Sequence, residues 1–278
     1  LIPSVAIQIT DPLIKALVPG HSLWSSLEGE NPGGSIKDRM VFPEISEALA
    51  IRDLRRGQTI SEISSGSTAL SLAFCAQTLG FPCTLFIPYD LDFKKKAQLR
   101  NLGATLEERD PKIAYAAYEE YCAQNSTWRL DQIQRPGLKS HYRRWGEREL
   151  KPLLPKIDLL LGTVGTGLSL LGLTAALDPR LGCYSTEPLA PRSVQGIRNL
   201  RLESFGDSDP CPLHFVTQRL ELSENQFFQR DVIETSEGLV QISHSFQVVL
   251  GALNQLSEHI SVFQGLNIFL IGSHNRRI

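Results

Sequence analysis

One lysine follows a turn through which no helix can run: Asn31-Pro32-Gly33-Gly34-Ser35-Ile36-Lys37-Asp38-Arg39. Proline and paired glycines break regular structure and Ser35 can cap a helix. The Lys37 amine therefore sits at a turn-to-helix junction, where it can be aimed into a cleft and form a Schiff base. Residue chemistry alone does not separate that role from an ordinary solvated lysine. Two other stretches offer donors to an anion. Ser64-Ser65-Gly66-Ser67-Thr68 places hydroxyls and backbone N–H groups between a strand end and a helix start. That arrangement suits a carboxylate and equally suits a plain helix cap. Gly165-Thr166-Gly167-Leu168-Ser169 is a second anion cradle of the same kind, its glycines letting backbone amides approach closely.

Elements of alternating period must hold these stretches. Thr59 to Ile63, Cys83 to Pro88, a short run near Trp128 to Leu130, Ile157 to Leu161, Leu181 to Thr186, a run near His214 to Leu222 and Leu266 to Ile271 read as strands. Between them fall helical patterns: the run after Lys37 to about Ala50, then Ala69 to Leu79 stopped by Gly80, Asp92 to Leu102, 112–124 and Leu170 to Leu177. Ser223-Glu224-Asn225-Gln226 matches a capping box and predicts a helix running to Gly238, and His244 to His259 predicts another. Residues 189–212 have no period and read as a long loop able to cover a site. Such alternation predicts an α/β fold with parallel strands, arranged as two lobes over 1–140 and 141–278 with a cleft between them.

Composition excludes several classes. The chain has 278 residues, 42% hydrophobic and 21% charged, with a formal charge of −2. No basic footprint exists for nucleic acid or for a membrane surface. No apolar run is long enough to span a bilayer, and no signal peptide is recognisable. Cys75, Cys83, Cys122, Cys183 and Cys211 are odd in number and lack C-x-x-C spacing, so reduced thiols in a cytoplasmic protein are expected. The histidines show no metal-ligand spacing, and no metal is expected.

The motifs together resemble those of the fold-type II pyridoxal-phosphate enzymes, specifically the cysteine synthase and cystathionine β-synthase family, whose fold is like that of the tryptophan synthase β subunit. The resemblance implies that Lys37 carries pyridoxal 5'-phosphate as a Schiff base in the cleft between the lobes. Ser64, Ser65 and Thr68 match the family's substrate-carboxylate loop about thirty residues on, and Gln132, in Leu130-Asp131-Gln132-Ile133-Gln134-Arg135-Pro136, matches a second contact to that carboxylate. Gly165, Thr166, Gly167 and Ser169 match the phosphate loop; Glu187-Pro188 and Gln195-Gly196-Ile197 match two later signposts. Ser67 replaces an asparagine that contacts the cofactor, Ala69 and Leu168 replace glycines, and Arg135 replaces an asparagine and could meet an anionic leaving group.

Later departures are larger. Gln241, placed by the resemblance among the substrate contacts, begins Gln241-Ile242-Ser243-His244-Ser245 where the family has glycines. His274 aligns with the family's serine whose hydroxyl contacts the cofactor's pyridine nitrogen, and Ser273 is one residue off, so either could be that partner. The implied activity is β-replacement on an O-activated L-serine, O-acetylserine or O-phosphoserine, through an aminoacrylate, in a homodimer. A β-eliminating lyase or deaminase, a diaminopropionate-forming synthase and a catalytically degenerate binding or regulatory relative are the alternatives.

Overall fold

The computed structural model describes residues 2–190, 194, 196–202, 209, 211, 213–272 and 274–278. Short apolar stretches broken by prolines open the chain as strand β1 (Ala6–Gln8), helix α1 (Pro12–Leu17) and strand β2 (Ser22–Ser26). Asp11 caps α1 by accepting from the amides of Leu13 and Ile14, with Pro12 in the first turn. β1 and β2 pair antiparallel.

Residues 31–135 then form a compact unit of their own. Its elements alternate as α2 (Asp38–Ala50), β3 (Thr59–Ile63), α3 (Ser67–Leu79), β4 (Cys83–Pro88), α4 (Phe93–Asn101), β5 (Ala104–Arg109), α5 (Ala114–Gln124) and β6 (Thr127–Arg129). The four strands make a parallel sheet in the order β5-β4-β3-β6. Ile60, Leu85, Phe86, Ile87 and Trp128 bury the strands, as a parallel sheet covered by helices requires. Gly80 ends α3 at φ 73°, a conformation that favours glycine, and Asp92 caps α4.

The second unit takes residues 136–278 together with 2–30. After α6 (Lys139–Trp145) come β7 (Leu159–Thr163), α7 (Leu168–Leu177), β8 (Cys183–Pro188), β9 (Gln218–Leu222), β10 (Val232–Thr235), β11 (Gly238–Gln241), α8 (His244–Gly251), α9 (Leu253–Ile260), β12 (Asn267–Leu270) and β13 (Arg276–Arg277). A six-stranded sheet runs in the order β1-β2-β12-β7-β8-β9, parallel from β2 to β9. Ile7, Ile14, Leu23, Leu159, Leu161, Phe246, Leu256 and Ile268 belong to its core cluster. β10, β11 and β13 form a small antiparallel sheet.

Several expectations need correction. The boundary is not a single cut near residue 140: residues 2–30 belong with the second unit, because β2 pairs with β12 across most of the sequence. Ser223 does form its capping box, yet the helix is one 3-10 turn, Glu224–Gln226. The β-branched Val232, Ile233 and Thr235 then take strand β10, which turns back through Gly238 at φ 94°. The helix expected over His244 to His259 is two helices, broken where Gly251 packs against the backbone of Gln226 and Phe227 so closely that a Cβ would lie 2.4 Å from the Gln226 carbonyl oxygen. The strand expected from His214 begins only at Gln218, after a 3-10 turn at Leu213–Phe215. Half of the loop 189–212 lies outside the described residues.

Candidate active site

In the unit of residues 31–135, the lysine turn is closed by its own backbone. The Gly34 amide donates to the Asn31 carbonyl at 2.7 Å, and Gly34 itself is at φ 79°. Gly33 passes so near Asp38 and α3 that a Cβ would fall 2.4 Å from Asp38 Oδ1 and 3.0 Å from Ser71 Cα. Its amide donates to Asp38 Oδ2 at 2.6 Å, while the Lys37 amide donates to Ser35 Oγ at 3.2 Å. Lys37 is thus delivered directly before α2 by a turn with little freedom. The residue keeps some accessible surface, but desolvation of its amine lowers the pKa to about 8. Such an amine is a far better nucleophile near neutrality than a surface lysine.

The hydroxyl loop lies in the same unit. Ser64, Ser65 and Gly66 leave β3, and α3 begins at Ser67 with Gly66 at its N-cap and no side-chain cap bond. Gly66 itself offers no side-chain acceptor to the first turn of α3. The structure brings two of the expected residues into contact: Thr68 Oγ1 donates to Gln132 Oε1 at 2.9 Å, both residues being buried. Gln132 stands just past β6, so the hydrogen bond ties the exits of two neighbouring strands. Ser64, Ser65 and Ser67 are partly exposed around it.

Beneath these loops is a residue that sequence reading missed. Glu62, in β3, is fully buried. Its Oε1 accepts from the Ile63 amide at 3.1 Å, and its Oε2 accepts from the Asp131 amide at 2.7 Å and the Gln132 amide at 3.4 Å. Burial, with the nearby Asp131 carboxylate adding to it, pushes its pKa up to about 8. A charged residue in the middle of an otherwise buried parallel strand was the signal available. Arg135, by contrast, is occupied structurally: it pairs with Glu44 and lies over the Trp128 ring.

The second unit holds the glycine loop, between β7 and α7. Gly167 caps α7 at φ 80°, and a Cβ there would lie 2.1 Å from Cys211 Cβ; a Cβ on Gly165 would lie 2.6 Å from the Gly196 carbonyl oxygen. Thr166 Oγ1 is buried with no hydrogen-bond partner among the described residues. Ser169 lies in the first turn of α7 and is partly exposed. Arg198 braces the loop from outside, its backbone amide donating to Val164 and its Nε to the Gly165 carbonyl at 2.6 Å, while its guanidinium pairs with Asp209. Arg198 follows Gly196-Ile197 directly but carried no period that would have marked it. A backbone cradle at an uncapped helix start, with one orphaned hydroxyl, fits a phosphate group.

The late motifs behave less uniformly. Gln241 is exposed on β11, and its Oε1 accepts from both Nε and NH2 of Arg276 at 2.9 and 2.7 Å. Its amide oxygen is thus engaged with β13. His274 is half-buried, and its carbonyl packs against Gly29. Ser273 and Gln195 lie outside the described residues.

Phosphate-sized cradles where a parallel strand runs into a helix are the architecture of α/β proteins that hold phosphate-bearing cofactors. Residues 10–209 match the family model described as pyridoxal-phosphate dependent enzyme, and the chain belongs to that family, whose enzymes use pyridoxal phosphate. It is 30% identical over 196 residues to a cysteine synthase from Flavobacterium sp., covering 64% of this chain and 64% of that one. It is also 30% identical over 173 residues to cystathionine beta-synthase from Oryctolagus cuniculus, covering 58% of this chain and 31% of the relative. The matched stretch thus spans less than two thirds of either relative. The fold matches that of O-ureido-L-serine synthase at a TM-score of 0.80 and 18% identity, over 98% of this chain and 88% of that one. It also matches the O-acetylserine dependent cystathionine beta-synthase from Helicobacter pylori at 0.79 and 16%, over 98% and 92%. Among the described residues no helix is long and apolar enough to cross a membrane.

Proposed function

We propose that this protein catalyses β-replacement on an O-activated L-serine, the chemistry of a cysteine synthase, with O-acetylserine or O-phosphoserine as donor. The observation that carries this reading is the Thr68–Gln132 hydrogen bond, which joins a hydroxyl-rich helix start to a second amide donor in one place. Such a pair suits the carboxylate of a small amino acid. Names of relatives support the substrate class: a cysteine synthase by sequence and an O-acetylserine dependent enzyme by fold.

Lys37 would hold the cofactor, with Gly165, Thr166, Gly167 and Ser169 on its phosphate. Bound pyridoxal phosphate supplies an electron sink for charge developing at the substrate's α-carbon. The protein's own work lies around that chemistry. The carboxylate is oriented by Ser64, Ser65, Thr68 and the Gln132 amide, its charge favoured by the N-terminus of α3. Lys37 Nζ, as a free amine with its lowered pKa, would accept the α-proton of the oriented substrate. Ser67 would stand beside the cofactor, and Ser273 or His274 would be the residue to meet its pyridine nitrogen, as the family resemblance implies. The assembly is proposed to be a homodimer in the cytoplasm.

The test is a donor assay on the cofactor-loaded protein. With O-acetyl-L-serine or O-phospho-L-serine plus sulfide, one amino-acid adduct per acetate or phosphate released is expected by mass spectrometry. Pyruvate in place of the adduct would move the protein to the eliminating enzymes. Retention of both donors unchanged would leave it a binding relative.

A further inference from the structure

Two loops meet the proposed substrate carboxylate, and they come from neighbouring strands of one sheet. The Ser64–Thr68 loop leaves β3, and Gln132 leaves β6. Their side chains meet through Thr68 and Gln132. Their backbones are joined from below by one carboxyl group. Glu62, one residue before the end of β3, accepts from the amide of its own neighbour Ile63 with one oxygen and from Asp131 and Gln132 on the second loop with the other.

Asp131 is what lets a single oxygen serve consecutive amides. At φ 56° it adopts the left-handed conformation, which turns the Asp131 and Gln132 N–H groups toward the same point. Aspartate tolerates this conformation better than most side chains. Arg129 pairs with the Asp131 carboxylate at 3.2 Å and holds it from the other side. The turn relies on an acceptor oxygen at position 62, since an apolar residue there would leave the amides of 63, 131 and 132 without one.

We infer that Glu62 is a positioning residue for substrate binding: by clasping the exits of β3 and β6 it fixes the gap between the Ser64–Thr68 loop and Gln132, and so the fit of the amino-acid carboxylate. The inference rests on the carboxylate reading given above. Loss of the clasp loosens substrate binding and leaves the bond between Lys37 and the cofactor alone. A glutamine at 62 keeps the length and one acceptor oxygen, which can still take the Asp131 and Gln132 amides.

The experiment compares the cofactor-loaded full chain with Glu62→Ala, Glu62→Asp, Glu62→Gln and Gln132→Ala, using L-serine as probe and its change in cofactor absorption as readout. Hydrogen exchange of the Asp131 and Gln132 amides is followed in the same samples. Gln132→Ala and Glu62→Ala are each expected to weaken L-serine binding about tenfold or more, the scale of a lost buried hydrogen bond. Glu62→Gln recovers most of the affinity, amide exchange at 131 and 132 rises in Glu62→Ala and falls back in Glu62→Gln, and the spectrum without serine stays unchanged throughout. Glu62→Asp, too short to span both loops, stands in if Glu62→Ala does not fold. Weakened binding in Gln132→Ala with none in Glu62→Ala or Glu62→Asp overturns the inference and leaves the carboxylate reading intact. Unchanged binding in Gln132→Ala removes that reading, and the inference goes with it.

Discussion

Two ionisable groups in the unit of residues 31–135 depart from their ordinary pKa values in opposite senses, and each has a measurable consequence. Lys37, at about 8, is roughly one-tenth free amine at pH 7, where an unperturbed lysine has well under a thousandth. Capture of pyridoxal phosphate by the stripped protein, trapped with borohydride and read by mass, is expected to speed up about tenfold per pH unit below 8 and to level off above it. Lys37→Ala is expected to add no mass at any pH. Glu62, also at about 8, keeps a proton in the fold that the unfolded chain releases near the ordinary carboxyl range. Stability therefore falls as pH rises from about 5 to about 8, and melting curves of Glu62→Gln are expected to lose that slope. The turn that places Lys37 directly before α2 was legible in the sequence because a proline and two glycines punctuate the chain there. Glu62 was not, because its meaning depends on amides seventy residues away that only folding brings to it.

Among the elements, the glycine loop leading into α7 is the one proposed to hold a phosphate. Gly167→Ala would place a Cβ 2.1 Å from Cys211 Cβ at a φ of 80°. The left-handed conformation alone costs on the order of 1 kcal/mol. A lower melting temperature and at least tenfold weaker binding of pyridoxal phosphate are expected, with binding of the unphosphorylated aldehyde affected far less. The glycine pattern of this loop, like the buried strands β3, β4 and β7, could be read directly because apolar run and turn residue fall next to each other. β5 could not. Ala104-Thr105-Leu106-Glu107-Glu108-Arg109 is an edge strand, and its charges, with Lys96 and Arg100 of α4 paired to Glu108, hide the strand pattern while protecting the exposed edge. The one-turn helix at Ser223 misled for the opposite reason. A sound local cap is overridden when the residues after it pair as a hairpin.

At the scale of the whole molecule, residues 2–30 serve a sheet whose other members lie far down the chain. Ile7, Ile9, Ile14, Leu23 and Leu27 are all part of the second unit's core. Removing residues 2–30 is expected to raise hydrogen exchange sharply in β12 and β7, while β3 and β4, within the unit of residues 31–135, keep their protection. Equal loss in both units would mean that they unfold as one.

That arrangement also sets an order of events on the ribosome. The 31–135 unit has all its strands once Arg135 has emerged, but β2 must wait for β12, which ends at Leu270, before it has its parallel neighbour. At roughly 5–20 residues per second, the interval is of order ten seconds or more, during which the opening apolar segments stand uncovered. Residues 2–30, made long before β12, are among the last to find their place, and a chaperone that shields nascent chains has a natural client in them.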